Sequence, residues 1–247
     1  MEGPVSARPT MHVLREAAPT ISVGMLTADL SRLGAELDLL ARTGAPLVHY
    51  DVMDGRFCPA LTFGAPVVAA AKTSLLKDVH LMIEEPLDKL AEFVAAGADV
   101  ITIHVEATRH PLRALQMLGG MTNANDPVRG LVRGIALNPG TPLAAVEPLL
   151  GELELILVLA VNPGWGGQTF APSTERRLAD ARALIAASGR DVLLGVDGGV
   201  RRENLQMIAA MGPDLIVTGS AVFDGKNVEA NARFMLGTLG APRAGAA

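Results

Sequence analysis

One pattern repeats eight times along this chain: a short apolar run, a polar or glycine-rich cluster, and a helical stretch. The apolar runs are ISVGML (21–26), LVHYDVM (47–53), DVHLM (78–82), VITIHVE (100–106), RGIALN (133–138), LELILVLAV (153–161), DVLLGVD (191–197) and DLIVTGS (214–220). Each is rich in β-branched or aliphatic residues and short enough to be a buried strand. The stretches between them carry helical spacing. Leu30, Leu33, Leu37 and Leu40 fall three and four apart, which places them on one helical face. Leu87, Leu90 and Val94 do the same after Pro86, and Gly97 stops the run. Gly189 and Gly212 stop two later helices. Thr141-Pro142 reads as an N-cap and first helical position for LAAVEPLL. Strands alternating with helices in this way specify an α/β protein with a parallel sheet. Eight units is the count that closes a single (β/α)8 TIM barrel. An open doubly wound sheet is the competing arrangement, and no G-x-G-x-x-G follows the first strand to favour it.

Composition sets limits on partners. The chain has 247 residues, a length that α/β barrels use as one domain. Lys and Arg total 21 against 26 Asp and Glu, so nucleic acid is not expected as a partner. The longest apolar run, Leu155 to Val161, is far below the roughly 20 residues of a spanning helix, so no membrane is expected either. Cys58 is the single cysteine, which excludes an internal disulfide and points to a reducing, cytoplasmic compartment. Residues 1–20 lack the apolar core of a secretory signal and read as a flexible N-terminal extension. The barrel is expected over 21–240 and a disordered tail over 241–247. The long segment 119–130 precedes the fifth strand, on the face opposite the expected chemistry.

In a barrel of this kind reactive residues sit at the C-terminal ends of strands. His49, Asp51 and Met53 share one face of the second strand by their spacing of two, as do His80 and Met82 on the third. Asp197 ends the seventh. Two imidazoles and two carboxylates at one rim can hold a divalent first-row metal. His104, among apolar residues of the fourth strand, reads as structural, and His12 and His110 as surface residues. Glycine clusters follow the sixth, seventh and eighth strands: N-P-G-W-G-G-Q (162–168), D-G-G (197–199) and T-G-S (218–220). Glycine lets backbone N–H groups close on an anion, and this fold often binds phosphate there. Trp165, flanked by glycine, suits a lid that excludes water.

Five motifs, in this order and spacing, resemble the ribulose-phosphate 3-epimerase family: H-Y-D-V-M-D-G (49–55), D-V-H-L-M (78–82), N-P-G-W-G-G-Q (162–168), V-D-G-G (196–199) and G-S-A-V-F (219–223). The resemblance runs from about Ile21 to Phe223. It implies a ribulose-phosphate-binding type of (β/α)8 barrel. It also implies interconversion of D-ribulose 5-phosphate and D-xylulose 5-phosphate by two-base proton transfer through an enediolate. By the same resemblance His49, Asp51, His80 and Asp197 are metal ligands, and Asp51 and Asp197 are the acid/base pair. Met53 and Met82 lie near the reacting carbons, and Gly166, Gly167, Gly198, Gly199, Gly219 and Ser220 meet the phosphate. The donor set favours Zn²⁺, and Mn²⁺, Fe²⁺ or Co²⁺ fit it as well. The expected partners are a small ketose phosphate and further copies of the chain.

Four positions depart from the family pattern. Gly24 stands where the family has a serine, Leu159 where it has a methionine, Ala60 where it has an asparagine, and Trp165 where it has a phenylalanine. None is a ligand or a phosphate glycine, so they bear on which ketose phosphate is preferred, with D-allulose 6-phosphate as the alternative substrate. Two other classes stand beside this one. A sugar-phosphate-binding barrel without turnover would need the glycines but not the four ligands. A metal-free decarboxylase-type barrel would need a lysine at an inner strand end, whereas Lys77 lies at the opposite end of its strand.

Overall fold

The computed structural model describes residues 9–240. Eight parallel strands close into one barrel in sequence order: β1 (Thr20–Gly24), β2 (Leu47–Met53), β3 (Leu76–Met82), β4 (Val100–His104), β5 (Val132–Leu137), β6 (Leu155–Leu159), β7 (Leu193–Asp197) and β8 (Leu215–Thr218). β1 pairs with both β2 and β8, so no edge is left open. Helices α2 (Leu33–Ala41), α3 (Ala65–Ala70), α4 (Leu90–Ala95), α5 (Pro111–Gly119), α6 (Thr174–Ser188), α7 (Leu205–Ala210) and α8 (Val228–Leu239) surround it. This is the expected (β/α)8 barrel.

The pleat assigns each strand residue to one of two cores. On β2, Val48, Tyr50 and Val52 pack outward against helices, with Val79 and Leu81 of β3 and Ile101 and Ile103 of β4. The residues between them point at the barrel axis. Leu47, Leu76, Val100, Val132, Leu155, Leu193 and Leu215 form an apolar floor. Above that floor the axis divides. β5, β6 and β8 supply Ala136, Leu157, Leu159 and Val217, whereas β1 to β4 supply Ser22, His49, Asp78, His80, Thr102 and His104, all buried. The interior is therefore polar on one side, where the sequence suggested four polar residues in an apolar surround.

The N-terminal expectation needs correction. Residues 10–17 form a helix, α1 (Thr10–Ala17), rather than a flexible lead-in. Its Leu14 is 0% exposed and completes the floor cluster, with Met11 and Val13 beside it. The Thr10 N–H donates to the carbonyl of Arg129, so the 119–130 segment holds the start of the helix. Asn123 organises that segment by donating to Asp99 and to the Gly130 carbonyl, at the N-terminal face as expected. Residues 1–8 and the 241–247 tail lie outside the described residues.

Two helical expectations also shift. The 143–152 segment is a pair of 3₁₀ turns, Leu143–Ala145 and Glu147–Glu152, not an α-helix. Pro148 removes a backbone donor in mid-segment, and the Thr141 hydroxyl donates to Glu106 instead of capping. Leu30 lies in a separate 3₁₀ turn before α2, capped by Asp29, and is half-exposed, so only Leu37 and Leu40 of the expected face are fully buried. By contrast α6 buries Leu178, Ala181 and Ile185 at helical spacing and ends at Gly189 with φ of 63°.

The floor predicts a stability effect far from the chemistry. Leu14→Ala leaves a cavity under the barrel and is expected to lower unfolding free energy by about 2–5 kcal/mol, read by denaturant titration. A loss within experimental error would mean that α1 does not seal the floor.

Candidate active site

β2 and β3 run in register, with His49 beside Asp78 and Asp51 beside His80. Their pleat aims all four side chains at the axis. Asp197, at the end of β7, faces them from another side of the barrel. One ligand atom from each of His49, Asp51, His80 and Asp197 can be chosen so that all lie within 4.8 Å of one another. His49 Nε2 is 3.3 Å from Asp51 Oδ1. His80 Nδ1 is 3.6 Å from the same oxygen and 3.5 Å from Asp197 Oδ2. Donors about 2.0–2.2 Å from a tetrahedral ion stand roughly 3.3–3.6 Å apart, so these separations suit a shared cation. The His80 Nδ1 is buried and has no hydrogen-bond partner among the described residues. That is a costly state for a polar atom unless something occupies the space before it. The cluster could therefore hold a divalent metal ion.

Supporting residues hold the cluster. His49 Nδ1 lies 2.7 Å from Asp78 Oδ2, which also accepts from the Ser22 hydroxyl at 2.8 Å. The ring is thus fixed with Nε2 toward the site. Thr62 donates to the Asp51 carbonyl at 2.5 Å and accepts from the Met53 N–H at 2.9 Å, which ties the end of β2 to the loop after it. Burial alone would lower the His49 pKa, but the Asp78 and Asp51 carboxylates on either side hold it well above its ordinary value. Burial would likewise raise Asp51, yet the His49 and His80 rings hold its carboxyl below the usual range. Burial would lower His80, and Asp197 and Asp51 raise it. On β4, burial outweighs the Glu106 carboxylate and pulls His104 down to about 4.

Sequence reasoning reached the four donors but missed Ser22, Asp78 and Glu106, and set His104 apart as structural. His104 is buried with its Nε2 2.9 Å from His80 Nε2. The signal was present, because D-V-H on β3 and H-V-E on β4 show the same spacing of two that selected His49 and Asp51.

Over the cluster opens a cavity of about 530 Å³ at the C-terminal ends of the strands. His49 and His80 lie beneath it. Asp51, Asp197, Met53, Met82, Gly166, Gly167, Gly198, Gly199, Gly219 and Ser220 all line it, so every position singled out for substrate contact faces one space. So do Gly24, Ala60, Leu159 and Trp165. Met53 and Met82 pack with Cys58 into a small apolar wall. Among the described residues Arg201 is the only cationic one in the lining, so an anion here would meet mostly backbone N–H groups. Gly198 and Gly199 have φ of 98° and 68°, and a Cβ at Gly198 would collide with Val161 Cγ2. The turn therefore requires glycine both for conformation and for space. Lys77 lies at the far end of β3, where its Nζ donates to the carbonyls of Val68 and Ala96.

A closed (β/α)8 barrel with a two-histidine, two-aspartate cluster beneath a glycine-lined mouth defines the class: a barrel whose mouth could hold a divalent metal ion. Comparison with known proteins narrows it. Residues 20–223 match the model of the ribulose-phosphate 3 epimerase family, and the chain belongs to that family. It is 41% identical over 208 residues to the ribulose-phosphate 3-epimerase of Escherichia coli K12, covering 83% of this chain and 88% of that one. The Bacillus subtilis ribulose-phosphate 3-epimerase is 38% identical, covering 82% and 91%. Ribulose-phosphate 3-epimerase 2 of Cupriavidus necator is 40% identical, covering 91% and 92%. The chain is thus an isomerase of carbohydrate phosphates. The fold is shared more widely. The 3-hexulose-6-phosphate synthase of Salmonella typhimurium superposes with a TM-score of 0.61 at 15% identity, covering 89% of this chain and 98% of that one. The KGPDC of Streptococcus mutans gives 0.62 at 14%, covering 92% and 100%.

The glycine turn is open to test. Gly198→Ala forces a side chain into left-handed backbone and against Val161, and is expected to cost about 1–3 kcal/mol of stability. It should also weaken inorganic phosphate binding, measured by calorimetry. Unchanged phosphate affinity in a folded variant would remove this turn from the anion site.

Proposed function

We propose that the chain is a metal-dependent 3-epimerase that interconverts D-ribulose 5-phosphate and D-xylulose 5-phosphate. The observation that carries this is the placement of two carboxylates, from strands three places apart around the barrel, at one cavity beside two buried imidazoles. Inverting carbon 3 takes a proton off one face and returns one to the other. Asp51 and Asp197 are the groups for the two faces, one as base and one as acid, exchanging roles with direction. Asp51 enters as a carboxylate, since its two histidine neighbours hold it ionised. The backbone around Gly166, Gly167, Gly198, Gly199, Gly219 and Ser220 is the phosphate cradle, and it anchors the substrate far from the reacting carbon. Met53 and Met82 give the reacting carbons an apolar wall, which strengthens electrostatics by keeping water out. Trp165, half-exposed on the rim, is the residue for a lid. A divalent ion held by His49, Asp51, His80 and Asp197 supplies positive charge for the ketone and enediolate oxygens. Zn²⁺ is the ion that two imidazoles and two carboxylates at these separations favour. Among the described residues no helix is long and apolar enough to cross a membrane. A cytoplasmic location, on the strength of the single cysteine, and a homo-oligomeric state, on the strength of the family, complete the reading.

Deuterium incorporation tests this reading. In D₂O, zinc-loaded protein should convert D-ribulose 5-phosphate to D-xylulose 5-phosphate with deuterium at carbon 3, followed by NMR. Asp51→Asn and Asp197→Asn should each slow turnover by about 10²–10⁴-fold with unchanged circular dichroism. Near wild-type turnover in either variant would end the two-base assignment.

A second substrate is favoured by one observation. A Cβ at Gly24 would meet nothing closer than 3.6 Å, from Gly219, and would lie 3.9 Å from Asp51 Oδ2. A serine Cβ would fit there in ordinary van der Waals contact, and without it the cavity gains room that D-allulose 6-phosphate or another larger ketose phosphate could use. Gly24→Ser should fold normally and lower KM for D-ribulose 5-phosphate by about five- to tenfold, one net hydrogen bond of ~1 kcal/mol. No change in KM for either sugar would remove Gly24 from substrate selection.

A further inference from the structure

His80 faces the donor cluster with one ring nitrogen and the neighbouring strand with the other. Its Nε2 stands 2.9 Å from His104 Nε2, and the two rings are nearly parallel, 17° apart. His104 Nδ1 lies 3.1 Å from Glu106 Oε2. The other oxygen of Glu106 accepts the Asn138 N–H at 2.8 Å and the Thr141 hydroxyl. Arg177 of α6 braces that turn by donating to the carbonyls of Asn138, Pro139 and Thr141. Both rings are fully buried, so water does not compete for these nitrogens.

The direction of each bond follows from what the groups can do. Two imidazole nitrogens facing each other must be one donor and one acceptor. A carboxylate only accepts, so His104 gives its Nδ1 proton to Glu106. Its Nε2 then carries the lone pair and takes the proton of His80 Nε2. That leaves His80 Nδ1 bare. It is the nitrogen that has no hydrogen-bond partner among the described residues and that faces Asp51 and Asp197. The reverse order would need either a fully protonated, buried His104 or a bare His104 Nδ1 lone pair facing the Glu106 carboxylate. His49 reaches the same end in one step, through Asp78.

We propose that His104 and Glu106 are positioning residues: a two-member relay that fixes His80 in the tautomer whose Nδ1 is free to bind a divalent ion. Glu106 is held in turn by the turn after β5, which Arg177 of α6 braces, so the relay ties one ligand of the cluster to the next strands around the barrel. Outer-sphere partners of this kind orient the ligand and are typically worth 10–100-fold in metal affinity. The proposal rests on the metal-dependent reading above, and the test separates the two.

The test uses full-length protein stripped of metal and titrated with Zn²⁺ against a chromophoric chelator. Wild type should bind one Zn²⁺ tightly. Its loaded form should show the His80 ring as the Nε2–H tautomer in long-range ¹H–¹⁵N NMR. His104→Leu should weaken Zn²⁺ by about 10–100-fold and disturb that signature. His104→Gln should recover most of the affinity, because an amide can accept from His80 and donate to Glu106. Glu106→Gln should fall between, since one amide oxygen cannot accept from both His104 and the Asn138–Thr141 turn. If His104→Leu does not fold, Glu106→Gln carries the test. Wild type that takes up no Zn²⁺ or other first-row divalent ion would overturn the metal reading and the relay with it. Wild-type binding with Glu106→Gln within twofold of it, and the tautomer unchanged, would overturn the relay alone.

Discussion

What fills the barrel axis decides what the mouth can do. A (β/α)8 barrel has no pore, so each inward side chain must be packed or paired. The apolar floor, sealed by Leu14 of α1, excludes water from below. One pleat higher, Ser22, His49 and Asp78 form a buried polar group whose hydrogen bonds are mostly closed upon one another. That layer lets an imidazole and two carboxylates stand above it without collapse. An aliphatic residue in place of Asp78 would free His49 to turn, and Nε2 would no longer be aimed at the cluster.

Charge is handled in two ways at the mouth. The donor cluster pairs two imidazoles with two carboxylates, so burial, which penalises the charges of His49, Asp51 and His80, is offset by contact with the opposite sign. The glycine-rich side of the mouth, the proposed phosphate cradle, presents neutral backbone, with Arg201 the single cation among the described lining residues. A phosphate on that side meets fixed dipoles that need no reorganisation. A lysine-rich cradle would instead have competed with the histidines for Asp51 and Asp197. On the proposed reading, the separation keeps the two carboxylates available for a proton at carbon 3.

The barrel was legible because its signal is repeated and local. Eight apolar runs punctuated by glycine leave few alternatives, and a spacing of two marks the inward face of any strand. His49, Asp51 and His80 follow from that spacing, and Asp197 from its place at the C-terminal end of a strand. His104 did not, for a reason of register. On β3 and β4 His80 pairs with Thr102, not His104, and only the tilt of the closed barrel brings His104 level with His80. Strand register and tilt are properties of the closed sheet, and no single run encodes them. α1 was missed because eight residues with one floor-facing leucine are too short to show a period. The helix expected over 143–150 failed on Pro148, which breaks a run of otherwise good helix formers.

The four departures from the family pattern all line the cavity, and none is itself a donor of the cluster or a hydrogen-bonding support of one. Gly24 and Leu159 sit at strand ends, Ala60 and Trp165 on loops. The residues that set the reaction are held by strand register and by buried hydrogen bonds, where one change leaves an unpaired polar atom. The residues that meet the rest of the sugar need only fill space. Substitution is therefore cheap at the second set and costly at the first. On the proposed reading, a barrel built this way can change which ketose phosphate it prefers while the proton chemistry at its axis stays the same.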